Sequence, residues 1–390
     1  MTPSTTLGAP HCPLYTVADV VPCDPAELLP LATYLQSGAR CEAAKTFPRG
    51  TLSPDGRLDL CKQSLGPGGC RTIVEALAGD SQVVSLMLGT DGIGDVGAAD
   101  VAGLVGRNAA LETLYLGCNK IGPAGVAALA RPLSADAFLR GLWLKRNPLG
   151  PTGARLLADM LRRNHTLRTL DLVNTQIGPD GAAALLDALT QGNRTVERLY
   201  LGGNALGPGD APRLAALLRA SRAIKALLLN VGDLGDDGVA LIAEALGENT
   251  TLEELGLASN GLSARSGETF ADVIAAHPML RTLDLGHSSS TRVLGAPPNA
   301  LGDAGAAALA SALSQNPPLR SLDLRGNGLT RAGQEVLADA LAGNTHLCRL
   351  VLDGRPHPRI AALMQRNLGL TTSGEPSVAR DVALTRSVHR

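Results

Sequence analysis

The chain has 390 residues, a formal charge of -1, 45 Gly, 24 Pro and only 2% aromatic residues. So even a balance of charge supplies no general field for nucleic acid or an anionic membrane, and no apolar run reaches the ~18 residues that span a bilayer. A core almost free of aromatics must be filled by Leu, Val, Ile and Ala, which suits short stacked units better than one irregular core.

In chain order, the opening MTPSTTLGAPHCPLYTVADVV lacks the basic start and continuous apolar stretch of a secretory signal, so a cytoplasmic protein is expected. The cysteines, at positions 12, 23, 41, 61, 70, 118 and 348, form no CxxC pair. Cys12, Cys23, Cys41 and His11 match no familiar zinc module, so no metal or cofactor is assigned and free thiols in a reducing compartment are expected. Residues 1–54 read as an N-terminal cap. CDPAELLPLATYLQSG predicts a helix with Asp24 as its N-cap. TFPRGTLSPDGRLDLC predicts an antiparallel hairpin turning on Ser53-Pro54-Asp55-Gly56, paired with the edge of the first repeat.

From residue 55 to 354 one pattern recurs about eleven times. It starts at Arg57 (RLDLCKQSLGPGGCRTIVEAL), then at Val83, Leu111, Leu139, Leu167, Val196, Ile224, Leu252, Leu280, Leu319 and, truncated, Leu347; the commonest spacing is 28 residues. In each unit LxxLxL alternates as a strand with its leucines inward. An Asn follows at Asn119, Asn147, Asn204, Asn260 and Asn327, able to bond backbone groups where the chain leaves the strand. Leu/Ile-Gly-Pro-x-Gly then turns into an Ala/Leu-rich helix of about three turns, with Pro at the start where its missing N–H costs nothing. Between the starts at 280 and 319 lies an insertion, residues 288–298 (SSSTRVLGAPP), after which Asn299 resumes the turn. It is expected to overhang one rim of the sheet, as a tolerated insertion or as a binding lip. Residues 355–390 predict a capping helix, PHPRIAALMQRNLGL, and a flexible basic tail, TTSGEPSVARDVALTRSVHR.

These units resemble the leucine-rich repeat, in the long-repeat subtype of the ribonuclease inhibitor, which the Ran GTPase-activating protein and NOD-like receptor repeat domains share. The resemblance implies a right-handed α/β solenoid, a horseshoe with a parallel sheet on the concave face and helices on the convex face. Strand spacing of about 4.8 Å against 8–10 Å for helices requires that curvature.

Within LxxLxL the third, fifth and seventh places point outward. The fifth place reads Asp59, Met87, Tyr115, Trp143, Asp171, Tyr200, Leu228, Gly256, Asp284, Asp323, Val351. Three of the chain's five Tyr and Trp residues stand in that row, as exposed binding anchors would; stacked aromatics that only stabilise neighbouring strands are the other reading. Tyr115, Trp143, Asp171 and Tyr200 are therefore expected to anchor a protein or peptide partner, with Asn174 beside them and Lys145, Arg146 and Arg198 selecting charge. A second group, Asp284, His287, Asp323 and Arg325, lies beneath the insertion.

Places three, five, seven and eight carry seven Lys/Arg and six Asp/Glu, so the face lacks the acidity that an inhibitor of a basic ribonuclease needs. Catalysis is not assigned. Cys61 and Cys118 have no His nearby, and His287 with Asp284 and Asp323, the best acid-base group, lacks a deep pocket. The Gly-rich turns lack the Lys-Ser/Thr of a P-loop, and three basic groups beside Trp143 fall short of a nucleic-acid stripe. A monomeric, non-catalytic interaction scaffold is the expected function. The resemblance leaves a GTPase-activating or enzyme-inhibitor role as the alternative, and the Ala/Gly-rich, Lys-poor composition a host-directed bacterial effector.

Overall fold

A computed structural model describes residues 20–355, 357–370 and 380–389. The described residues divide into two compact units: an N-terminal one of residues 20–196 with 380–389, and a C-terminal one of 197–355 with 357–370. Both are α/β leucine-rich-repeat solenoids.

In the N-terminal unit α1 (Leu29–Gln36) precedes a short antiparallel pair, β1 (Lys45–Thr46) and β2 (Thr51–Leu52). β2 then pairs antiparallel with β3 (Arg57–Asp59), closed by Ser53 N donating to Arg57 O at 2.9 Å. From β3 onward every pairing is parallel and every repeat is a strand and a helix. β3 is followed by α2 (Gly66–Ala76), β4 (Ser85–Met87), α3 (Gly94–Ala102), β5 (Thr113–Tyr115) and α4 (Pro123–Leu133). β6 (Gly141–Trp143), α5 (Gly150–Leu161), β7 (Thr169–Asp171) and α6 (Gly178–Gln191) complete the run. The C-terminal unit continues the pattern with β8 (Arg198–Tyr200), α7 (Ala211–Ala220), β9 (Ala226–Leu228), α8 (Gly235–Leu246), β10 (Glu254–Gly256) and α9 (Ala264–Ala276). β11 (Thr282–Asp284) leads into the insertion, which forms the single turn α10 (Thr291–Leu294). After it come α11 (Gly302–Ser314), β12 (Ser321–Asp323), α12 (Arg331–Ala340), β13 (Arg349–Val351) and α13 (Pro358–Leu370).

Between strands and helices sits a core of leucine: Leu114 and Leu116, Leu142 and Leu144, Leu170 and Leu172 are fully buried. Each such side chain contributes about 1.5–3 kcal/mol when taken from water. The helices touch those of neighbouring repeats, and the second Gly of Gly-Pro-x-Gly permits the approach. At Gly181 a Cβ would lie 2.7 Å from the Cβ of Ala154 in the preceding helix. The first Gly, as at Gly150, has φ +61°, where L side chains are strained.

Two side-chain ladders satisfy the backbone that this stacking buries. In the first, Asn147 donates to Leu144 O and Leu116 O at 2.8 and 2.9 Å and accepts from Asn119 N and Ile121 N at 2.8 and 3.0 Å. Losing it would strand buried groups at about 1–3 kcal/mol apiece. Asn260, Asn299 and Asn327 repeat the arrangement in the C-terminal unit. Asn299, beyond the insertion, donates to Leu285 O at 2.9 Å and accepts from Asn260 N at 2.8 Å, so eleven additional residues leave the ladder unbroken. The second ladder stands three residues before each strand motif. Asn164, Asn193, Asn249 and Asn344 each accept from the N–H groups two and three residues on and donate to a carbonyl of the preceding repeat. The spacing Asn-x-x-Leu or Asn-x-x-Val in NHTL, NRTV, NTTL and NTHL was its signal in the sequence.

Asp91 holds the first-ladder position in the second repeat and is fully buried. Its Oδ1 accepts from Gln63 N at 2.8 Å, while Oδ2, which stands for the amide nitrogen of Asn119, has no hydrogen-bond partner. Only the neutral acid can donate to carbonyls there, and burial pushes the Asp91 carboxyl up to about 8. A carboxyl raised in the folded state makes the native protein bind more protons than the unfolded chain. Its contribution is intact below about pH 4 and lost as pH rises toward about 8. Asp91→Asn should therefore stabilise by about 1–3 kcal/mol at pH 8–9 and progressively less toward pH 5. Thermal melts across that range would refute the account if the variant and wild-type curves ran parallel.

Candidate functional site

In the N-terminal unit the parallel register carries Asp59, Met87, Tyr115, Trp143 and Asp171 into one row on the outward face of β3–β7, and Arg57, Ser85, Thr113, Gly141 and Thr169 into the row beside it. The rings expected to be exposed are covered to different degrees. Trp143 is 4% exposed and Tyr115 is half-buried. Each folds over a glycine: a Cβ on Gly141 would fall 2.3 Å from the Trp143 ring, and one on Gly89 would fall 2.5 Å from Tyr115. Lys145 Nζ sits 5.3 Å from the Tyr115 ring centroid, within cation–π range. Burial raises the Tyr115 hydroxyl above its usual value.

The remaining cover is the tail. Of the segment read as a tail, residues 380–389 pack against the strands; residues 371–379 and 390 lie outside the described residues. A single turn, α14 (Arg380–Ala383), sets Asp381 against β7, where its carboxylate accepts from Thr169 Oγ1. Leu384 is buried and its carbonyl accepts from Ser85 Oγ at 2.9 Å. Arg57 Nη1 donates to Arg386 O at 3.0 Å, and Val388 N donates to Asp59 Oδ2 at 2.6 Å. Residues 381–388 thus run across the strands from β7 to β3, and Ser85, Thr113 and Thr169 beneath them have no exposed surface. A surface ion pair of 3.9 Å between Arg380 and Glu112 adds little.

The fifth-place aspartates also do local work. Asp59, Asp171, Asp284 and Asp323 each accept from the N–H two residues on, at 3.1, 2.9, 2.9 and 3.0 Å, closing the turn out of the strand. Asp171 is buried, and desolvation pushes its carboxyl up against the opposing pull of Lys145, the Val173 N–H and Arg146. Arg146, with φ +57°, is exposed, while Asn174, with φ +54°, is buried with its Oδ1 unpartnered.

The expected anchor is divided between the units. Arg198 and Tyr200 stand half-buried on β8, with Tyr200 in register with Leu228. Arg198 draws the Glu254 carboxyl down against the larger effect of burial, which raises it. In the second expected group Arg325 is bound to Asp323 at 2.7 Å, and Asn230 Nδ2 donates to Asp284 at 3.2 Å. His287 is exposed, and among the described residues no hydrogen bond joins it to either aspartate. The insertion above packs down on its own unit, with Thr291 and Leu294 buried and the Thr291 hydroxyl 2.5 Å from Ser259 Oγ.

For chemistry, Cys61 is buried and its thiol is pushed up to about 12, far from a nucleophilic thiolate. Among the described residues no three His, Cys, Asp or Glu side chains are grouped to hold a metal; His11 and Cys12 lie outside them. Nor is any described helix long and apolar enough to cross a membrane.

Stacked strand–helix repeats with an asparagine ladder are the fold of a leucine-rich-repeat solenoid. A family model described as "Leucine Rich repeat" matches residues 107–130, 163–186 and 315–338. No curated protein sequence matches the chain. Among solved structures it is similar to the Rad7 and Elc1 complex of yeast, at 15% identity over 88% of this chain and 81% of that one, with a TM-score of 0.46. It is also similar to the tropomodulin C-terminal domain of Caenorhabditis elegans (16% identity, 41% of this chain and 95% of that one, TM-score 0.35). A third similarity is to leiomodin-1 actin-binding site 2 (14%, 49% and 90%, 0.33).

Gly141→Ala should drive the Trp143 ring off the face at a cost of about 1–3 kcal/mol. Trp143 is the chain's one tryptophan, so its emission should shift to the red as the melting temperature falls. An unchanged spectrum would show that the glycine does not set the ring's position.

Proposed function

We propose that the chain is a non-catalytic scaffold of the ribonuclease-inhibitor-like subtype that binds a protein or peptide partner on its outward strand face. Helices of nine to fourteen residues in the repeats support the subtype. What carries the binding reading is the packing of residues 380–389 over β3–β7: side chains of the strands bond main-chain groups of a crossing polypeptide. Half-buried Lys145 and exposed Arg146 flank that row and favour an acidic partner. In the C-terminal unit Arg198, Tyr200, Asp284, His287, Asp323 and Arg325 extend the same reading as a second set of contacts.

Peptide display on the full chain, and on an Asp381→Arg/Leu384→Asp form, tests it. Acidic peptides with apolar residues should be enriched. Lys145→Glu/Arg146→Glu should weaken them at least about tenfold, equivalent to 1.4 kcal/mol. No enrichment on either form, or equal binding to the charge-reversed variant, defeats the reading.

A further inference from the structure

We propose that residues 380–389 are a resident ligand of the N-terminal unit's strand face, an intramolecular latch that a partner peptide of the same D-x-x-L chemistry must displace. This rests on the binding reading above and adds what the face recognises and how it is kept shut.

The contacts have the form of recognition rather than of casual packing. Asp381 takes the Thr169 hydroxyl, and Leu384, three residues on, is buried. The intervening Val382 and Ala383 are half-buried, and α14 places Asp381 and Leu384 on one side of a helical turn. Beyond Leu384 the strand side chains bond main chain, and Thr385, Ser387 and His389 are half-buried. Ser85 and Arg57 donate to the carbonyls of Leu384 and Arg386, and Asp59 accepts from the Val388 N–H, while the Arg386 and Val388 side chains stay exposed. A ligand read in this way needs an acidic residue, a large apolar residue three positions later, and an extended stretch whose main chain is free to bond.

The segment also follows none of the repeat pattern and supplies no strand or helix to the stack. The repeats beneath it close their own backbone through the asparagine ladders, so removal of the segment leaves the solenoid's hydrogen bonding intact. A cover held by one buried leucine, one carboxylate and three main-chain bonds is displaceable. A face so covered binds a competitor with an affinity reduced by the fraction of time it is open.

Trp143 reports on the latch, because a Cβ on Gly141 would stand 3.5 Å from Asp381 Cβ and within 2.3 Å of the Trp143 ring. Asp381→Arg/Leu384→Asp should leave far-UV circular dichroism unchanged, red-shift the Trp143 emission and raise its quenching by acrylamide severalfold. A synthetic RDVALTRSVH peptide should restore the emission in trans, and should bind wild type at least about tenfold more weakly than the variant. A scrambled peptide should do neither. Unchanged emission in the variant, or equal binding of the peptide to both forms, overturns the latch. So does concentration-dependent emission with a dimer in light scattering, which would place the segment on a second copy. Displayed peptides that bind wild type and variant alike would sink the latch and leave the binding reading standing. A variant that opens but enriches no displayed peptide would do the reverse.

Discussion

The constraint on which the rest of this structure depends is the burial of main chain at each turn between strand and helix. Stacking repeats at strand spacing removes those N–H and C=O groups from water, and each left unpaired would cost more than a hydrogen bond gains. An asparagine answers both kinds of group at once, because its amide donates and accepts. Asn147 satisfies two carbonyls and two N–H groups across two repeats. Where chemistry departs from asparagine the consequences are local. Asp91 accepts through Oδ1 but leaves Oδ2 buried without a partner, and His277, in the second ladder, accepts from Met279 N and Leu280 N through Nδ1 while its Nε2 is left buried and unpartnered.

Because the ladders fix the turns, the strands are free to carry function in their outward places. Their register makes rows of whatever the sequence puts there, and the rows must then be covered or solvated. Tyr115 and Trp143 are covered by folding over glycines, and Asp381 of the C-terminal segment stands against Gly141. The aspartates divide their two oxygens. One closes the local turn, and the other is open to a partner: the Val388 N–H for Asp59, Asn230 for Asp284, Arg325 for Asp323. The same residue type is thus structural through one atom and available for recognition through the other, which is why residue type alone does not separate the two roles.

Much of the fold is legible in the residues because it is periodic and local. The LxxLxL alternation, the following Asn and the Gly-Pro-x-Gly helix start all act within one repeat of about 28 residues, so the chain announces strands, helices, the parallel register and the place where Asn299 resumes after the insertion. The outward rows follow from the same alternation, and Tyr115, Trp143 and Asp171 do stand side by side. Only the tertiary structure decided how those residues are used. Trp143 packs over Gly141, and a segment more than 200 residues away stands against Gly141 and Thr169. That segment meets Thr169, Ser85, Arg57 and Asp59 across 212 to 329 residues of chain, and contacts at such separation leave no period to read. A polar, basic tail has the composition of a solvated one. Its placement rests on one carboxylate, one buried leucine and main-chain groups that every residue possesses.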